Sequence, residues 1–329
     1  MKKILFIGSG AWATALANVL LINKHQVSFY SINKKETKDL NRGLNTKYFA
    51  KESLYAKPFQ ISNNLRKLLA NKPNFIVFAI PSKTLNNVLK LVVKKLVNEP
   101  VFVNAIKGLN YATLNPWSLD IKKAIKNKSQ GLVTLIGPSY AIEVFHKELT
   151  TINCVSANET IATKVKNIFQ NNFFKCIYCQ DEIGAEFCAS LKNVMAIACG
   201  LTYKLHLSIN TRAIIFTQAI KEIYLIINKK GGMSSTILNF CGIGDMFLTC
   251  NDPKSRNFTF GSLLAKYGIK QAMARNKKTV EGIYALKIAK KIVDKEKIKA
   301  PIIQTLYKVI FQNLDCKKFV DEAIKAIAL

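Results

Sequence analysis

Residues 242–250 read Gly-Ile-Gly-Asp-Met-Phe-Leu-Thr-Cys, and Ser255-Arg256-Asn257 follow shortly after. This short polar stretch holds an acid, a hydroxyl, a guanidinium and an amide. The fork of Arg256 and the amide of Asn257 suit a phosphate. Asp245 can orient a base or a hydroxyl. The chemistry indicated is recognition of a small phosphorylated substrate.

Two lysines stand apart from the many others. Lys107 follows an apolar, strand-like run and precedes Gly108, which places it at the carboxyl edge of a sheet. Lys192 lies in Ser190-Leu191-Lys192-Asn193-Val194, within an otherwise apolar helical stretch. A lysine there is costly unless paired, and Asp245 is its natural partner. A paired lysine can act as general acid toward a carbonyl oxygen. The plain alternative is a side chain that snorkels to solvent.

These residues need elements to position them. Residues 3–7 form a short apolar run ending at Gly8-Ser9-Gly10-Ala11-Trp12-Ala13, followed by helical periodicity over 13–22 and a strand pattern over 26–30. This is strand, glycine turn, helix, strand. The turn fits GxGxxA. Gly8 allows the tight turn, Gly10 lets the backbone approach a pyrophosphate, and Ala13 permits close helix–strand packing. Placed there, the pattern points to dinucleotide binding. An acid for the adenosine ribose belongs near residues 30–33, but the chain reads Tyr30-Ser31-Ile32-Asn33, and Glu36 lies too far along. Lys34 and Lys35 lean weakly toward a 2′-phosphate.

Further strands are expected at 75–80, 101–105, 132–136, 151–156 and 174–178, with helices at 84–96 and 159–169. Alternation of this kind predicts a Rossmann-like, doubly wound, mostly parallel α/β sheet. Gly137-Pro138-Ser139-Tyr140-Ala141 follows one strand end. Its backbone N–H groups and Ser139 suit substrate or cofactor oxygens, or form an ordinary turn. After about residue 181 the patterns are helical, at 182–199, 211–227, 258–267, 284–293, 303–312 and 318–328. The expected domains are therefore 1–181, dinucleotide-binding, and 182–329, an all-α substrate domain. Residues 41–58 look long and irregular, with the character of a mobile loop. Glu281, in Val280-Glu281-Gly282, suits a ribose hydroxyl or is simply solvated.

Composition narrows the class. The net charge of +29 invites a nucleic-acid reading, but only five of the 49 basic residues are arginine. Base and phosphate readers favour the bidentate fork of arginine. Specific nucleic-acid binding is therefore not expected. The lysine field favours anionic small molecules and a weak association with an anionic membrane surface. Eight cysteines and three histidines show one CxxC pair, Cys176 to Cys179, in a strand-like segment. A metal site is not expected, and the thiols suit a reducing, cytoplasmic setting. No apolar run reaches the roughly 20 residues a membrane span needs.

Together these markers resemble the NAD(P)-dependent glycerol-3-phosphate dehydrogenase family, bacterial type. The resemblance runs over nearly the whole chain. It is carried by GSGAWATAL (8–16), Lys107-Gly108-Leu109, GPSYA (137–141), Leu191-Lys192-Asn193, NTRA (210–213), GIGDMFLTC (242–250), Ser255-Arg256-Asn257 and Val280-Glu281-Gly282. The clusters 242–250 and 255–257 are the most specific. The resemblance implies reversible reduction of dihydroxyacetone phosphate to sn-glycerol 3-phosphate, feeding phospholipid synthesis, by a homodimer. It implies Lys192 as proton donor and Lys107 as support for the developing oxyanion. Gly137, Ser139, Asn193, Asp245, Thr249, Ser255, Arg256 and Asn257 would join both lysines around the substrate. Gly8, Gly10, Ala11, Trp12, Lys107, Ala141, Arg256 and Glu281 would meet NAD(H) or NADP(H). Ala11 and Ala13 replace a common serine and glycine, Ile32 a polar or basic residue, and Gln218 a frequent arginine. The Ile32 departure leaves the choice between the two cofactors open.

Overall fold

The computed structural model describes residues 1–276 and 279–328. Its chain divides into two compact units, Met1–Lys107 with Trp117–Glu182, and Gly108–Pro116 with Ile183–Leu329.

The strands are β1 (Lys3–Ile7), β2 (Gln26–Tyr30), β3 (Gln60–Ser62), β4 (Phe75–Phe78), β5 (Val101–Asn104), β6 (Leu109–Asn110), β7 (Asn115–Pro116), β8 (Gly131–Ile136), β9 (Thr150–Val155) and β10 (Phe174–Cys179). Eight of them form one sheet in the order β10-β9-β8-β5-β4-β1-β2-β3, and β6 and β7 pair as a separate hairpin. Every neighbour pair in the large sheet is parallel except β8 with β9. The helices are α1 (Ala11–Ile22), α2 (Lys34–Asn41), α3 (Thr46–Phe49), α4 (Leu65–Leu69), α5 (Leu85–Lys95), α6 (Trp117–Ile125), α7 (Ala141–Phe145), α8 (Glu159–Phe169), α9 (Glu182–Lys204), α10 (Ile209–Lys229), α11 (Asp245–Asn251), α12 (Arg256–Arg275), α13 (Glu281–Lys295), α14 (Pro301–Phe311) and α15 (Phe319–Ala328).

In the first unit the alternation of side chains explains the layering. Ile4 and Phe6 of β1 enter one apolar cluster, and Leu5 and Ile7 enter the other. The central strands are thus buried on both faces, as a parallel sheet with helices on each side requires. The connection β1-α1-β2 runs one way from β1, and β4 lies on its other side, so a topological switch point falls at the carboxyl ends of β1 and β4. Gly8 leaves β1 there. Residues following β5 and β8 emerge on the same edge, because both strands run parallel to β4.

Residues 41–58 are not an irregular loop. They contain α3 and the end of α2, and Phe49 and Leu54 are buried. Phe49 stacks on Phe145 with centroids 4.0 Å apart. Asn45 donates to the Ser9 carbonyl at 2.9 Å and to Thr14 Oγ1 at 2.8 Å. A few anchors with no periodic spacing fasten this segment.

The second unit has one helical core drawn mainly from α9, α10, α13 and α14. The helix starts are chemically marked. Ser208 caps α10 and Ser255 caps α12 through their hydroxyls. α14 begins with Pro301 at its first position. The Glu222 carboxylate from α10 accepts from its Ile302 and Ile303 N–H groups at 2.7 and 3.0 Å. Among the described residues, no helix is long and apolar enough to cross a membrane.

Candidate active site

In the first unit, the glycine turn has the backbone its sequence demands. Gly8 has φ +110, and a Cβ there would stand 2.6 Å from the Ala79 carbonyl oxygen at the end of β4. Gly10 is the N-cap of the twelve-residue α1, makes no side-chain cap, and has open space where a Cβ would project. The first turn of α1 contains no acid. Its positive end is therefore presented by bare backbone, which suits a pyrophosphate. Ala11, Trp12 and Ala141 are partly buried against the same core.

Glu36 is the residue that sequence reasoning dismissed. It is only 6% exposed. Asn33 caps α2 and accepts from the N–H groups of Lys35 and Glu36, which turns the Glu36 side chain back toward the turn. Ser9 Oγ donates to its carboxylate at 2.5 Å and lies 2.8 Å from Ser31 Oγ. Lys47 pairs with the other carboxylate oxygen at 3.0 Å. The acid thus stands under the glycine turn and fastens it. Its distance along the chain from β2 hid this, because the short helix α2 brings it back.

Lys107 is exposed three residues beyond β5, next to Gly108 at φ +107. Gly137 follows β8, and a Cβ there would lie 2.7 Å from the Cα of Ile152. Ser139 Oγ donates to the Gly137 carbonyl at 3.1 Å, so the segment forms a tight turn ahead of α7.

In the second unit, Lys192 and Asp245 meet as a direct ion pair, with side chains 3% and 2% exposed. The lysine is therefore paired, not snorkelled to solvent. A backbone kink precedes Asp245. Gly242 has φ −96 and ψ −108 inside the turn 240–244, and a Cβ would fall 2.2 Å from the Ile237 carbonyl oxygen. Glycine at 242 allows the chain to pass close and start α11 with its acid facing α9. Thr249 Oγ1 donates to the Asp245 carbonyl at 2.7 Å.

Asn257 is buried and its amide is engaged at both ends. Its Nδ2 donates to Asn193 Oδ1 at 2.8 Å, and its Oδ1 accepts from Gly282 N at 2.9 Å. It therefore bridges α9, α12 and α13. The sequence marks it only as a ligand-facing amide; the frame it makes depends on partners far along the chain. Ser255 accepts from Phe258 N as the cap of α12. Arg256, half-exposed at the first position of α12, lies 3.8 Å from the half-exposed Glu281 carboxylate. Among the described residues no group of three or more His, Cys, Asp or Glu side chains could hold a metal ion.

The model of the NAD-dependent glycerol-3-phosphate dehydrogenase N-terminus matches residues 3–162, and that of the C-terminus matches residues 181–321. The chain belongs to the NAD-dependent glycerol-3-phosphate dehydrogenase family. Glycerol-3-phosphate dehydrogenase [NAD(P)+] of Malacoplasma penetrans is 38% identical over 322 residues, 97% of this chain and 95% of that one. Its counterpart from Mycoplasma mobile is 37% identical over the same shares. The crystal structure of glycerol-3-phosphate dehydrogenase from Coxiella burnetii superimposes with a TM-score of 0.89 at 25% identity, covering 98% of this chain and 99% of that one. As a family member the chain is an oxidoreductase acting on a CH–OH donor, with NAD(P) as cofactor and a small molecule as substrate. The open cradle at Gly10 and the uncapped start of α1 fit that cofactor.

Proposed function

We propose that this chain catalyses the reversible NAD(P)H-dependent reduction of dihydroxyacetone phosphate to sn-glycerol 3-phosphate, which feeds phospholipid synthesis. The observation that carries this reading is the buried Lys192–Asp245 pair, set in a chain that matches both halves of the family.

A bound nicotinamide supplies the hydride. Lys192 donates the proton that the carbonyl oxygen takes up, and accepts it in the reverse direction. Asp245 fixes the ammonium group and compensates its charge in a dry setting, so the donor is held in place before reaction. Lys107 supports the developing oxyanion. Arg256, with Ser139, Thr249 and Ser255, receives the substrate's oxygens, and its guanidinium exchanges Glu281 for the phosphate. Asn193 and Asn257 hold the three helices around these groups and contribute the amide hydrogens left over. Gly137 lets backbone approach. Gly8, Gly10, Ala11, Trp12 and Ala141 form the nucleotide cradle, and Lys107, Arg256 and Glu281 are assigned further cofactor contacts.

We further propose a cytoplasmic homodimer, with lysines giving a weak attraction to anionic membrane surfaces and no specific nucleic-acid binding. Spread lysines and few arginines support the last two readings.

Comparing dihydroxyacetone phosphate with dihydroxyacetone tests the substrate assignment. The phosphate compound should be turned over with far the higher kcat/KM. Equal turnover of the two would remove phosphate recognition from the proposal.

A further inference from the structure

Two cysteines that are 51 positions apart in the chain meet beside the Lys192–Asp245 pair. Cys199 lies seven residues after Lys192 on α9, and Cys250 five residues after Asp245 on α11. Their thiols are neighbours. Cys250 Sγ also donates to the Lys192 backbone carbonyl at 3.9 Å. Both residues line a cavity of about 350 Å³, whose walls include Thr202, Arg212, Phe216 and Phe247. Cys250 is buried, while Cys199 is partly exposed in this cavity. A partly exposed thiol in a cavity whose wall also carries an arginine, here Arg212, is the usual setting of a reactive cysteine.

We propose that Cys199 and Cys250 form an oxidisable dithiol that closes to a disulfide and lowers turnover by disturbing Lys192 and Asp245. A hydroperoxide is the oxidant. The Cys199 sulfur attacks one peroxide oxygen, breaking the O–O bond. The thiol proton leaves with the other oxygen as water or alcohol, and Cys199 becomes a sulfenic acid. The Cys250 sulfur then attacks the Cys199 sulfur. The S–O bond breaks, and the hydroxyl leaves with the Cys250 proton as water. Two thiols are oxidised by two electrons, and one peroxide is reduced.

Closure has two local consequences. It ties α9 to α11 by a covalent bond between the residues that follow Lys192 and Asp245 on the same helices. It also removes the S–H that Cys250 donates to the Lys192 carbonyl. A displacement near 1 Å in positioned catalytic groups costs rate steeply. The contact with Cys199 and burial push the Cys250 thiol up, so Cys199 is the sulfur that meets the peroxide first.

Cys154 and Cys176 provide an internal comparison. They also touch, but both are sealed in the core of the first unit.

The experiment treats the whole protein with hydrogen peroxide, then alkylates it and maps its peptides. The expected result is a Cys199–Cys250 crosslinked peptide, with Cys154 and Cys176 still alkylated after unfolding. Alongside it, kcat falls by about tenfold or more and returns on adding dithiothreitol. Cys199→Ser should keep the basal rate and lose the response; Cys199→Ala serves where the serine variant folds poorly. Absence of the crosslink overturns the proposal, as does a crosslink that leaves kcat unchanged or an equal loss in the Cys199 variant. The change in turnover rests on the activity proposed above. The crosslink is read by mass alone, so failure of that activity and failure of this site are distinguishable.

Discussion

Lys192 of α9 and Asp245, the first residue of α11, form an ion pair sealed almost completely from solvent. Neither charge has water to fall back on. Removing one partner strands the other, at a cost of about 3–5 kcal/mol. Asp245→Ala should therefore lower the melting temperature strongly. The double change Lys192→Met with Asp245→Leu should recover much of that stability while showing no turnover. Thermal unfolding and activity measured on the same preparations check this. A double variant as unstable as the single one would deny the pair its electrostatic role. Lys192→Ala should also lose turnover by about 10²-fold to 10⁴-fold while binding nucleotide nearly normally.

Arg256 predicts a different pattern. It is half-exposed and 3.8 Å from Glu281, so the pair adds little stability. Arg256→Ala should leave the melting temperature close to wild type. It should raise KM for dihydroxyacetone phosphate by about tenfold to 100-fold, the loss of one charge-assisted contact. KM for dihydroxyacetone, which has no phosphate, should barely move. Steady-state kinetics with both substrates decides the matter, and an unchanged phosphate KM would remove the clamp.

Glu36 tests the cofactor side. Its carboxylate receives Ser9 from the glycine turn and Lys47 from α3. Glu36→Ala removes the carboxylate that ties the turn to α2 and α3 and so loosens it. KM should rise for NADH and NADPH alike, with kcat little changed at saturation. Paired titrations of the two nucleotides measure it. A selective gain for NADPH would instead mean that Glu36 faces the adenosine ribose.

Glu222 sets a pH dependence of stability. Burial lifts its carboxyl from the ordinary 4.5 to about 7, against the opposing hydrogen bonds from the Ile302 and Ile303 N–H groups and from Gln218. The unfolded chain releases this proton near 4.5, the folded chain only near 7. Between those values the folded state holds more protons, so stability falls as pH rises. The stability of wild type relative to Glu222→Gln should decline by about 3 kcal/mol from pH 4.5 to 8. Denaturant unfolding of both proteins across that range checks it, and a constant gap would contradict the shift.

Periodicity carried far in this sequence. The double-faced apolar strands, the glycine turn and the C-terminal helices announce themselves through runs and spacings. So do Lys192 and Asp245, because a lysine in an apolar helix calls for an acid. What escaped depends on contacts without a period. Asn45, Phe49 and Leu54 are single anchors, and residues 41–58 therefore looked loose. The pair β6 and β7 is two residues long on each side, too short for a pattern, so nothing marked residues 108–116 as grouping with the helical unit. Asn257 looked like a ligand group because its partners, Asn193 and Gly282, lie 64 positions before it and 25 after it. Gln218 had no visible purpose until its amide was found 3.3 Å from the Glu222 carboxylate.

The most direct test is the fall in nicotinamide absorbance when the purified protein is mixed with dihydroxyacetone phosphate, using NADH and NADPH in parallel. Oxidation of at least one nucleotide is expected, stoichiometric with formation of sn-glycerol 3-phosphate and slowed by at least about 10²-fold in Lys192→Ala. No oxidation of either, by folded protein that still binds nucleotide, would contradict it.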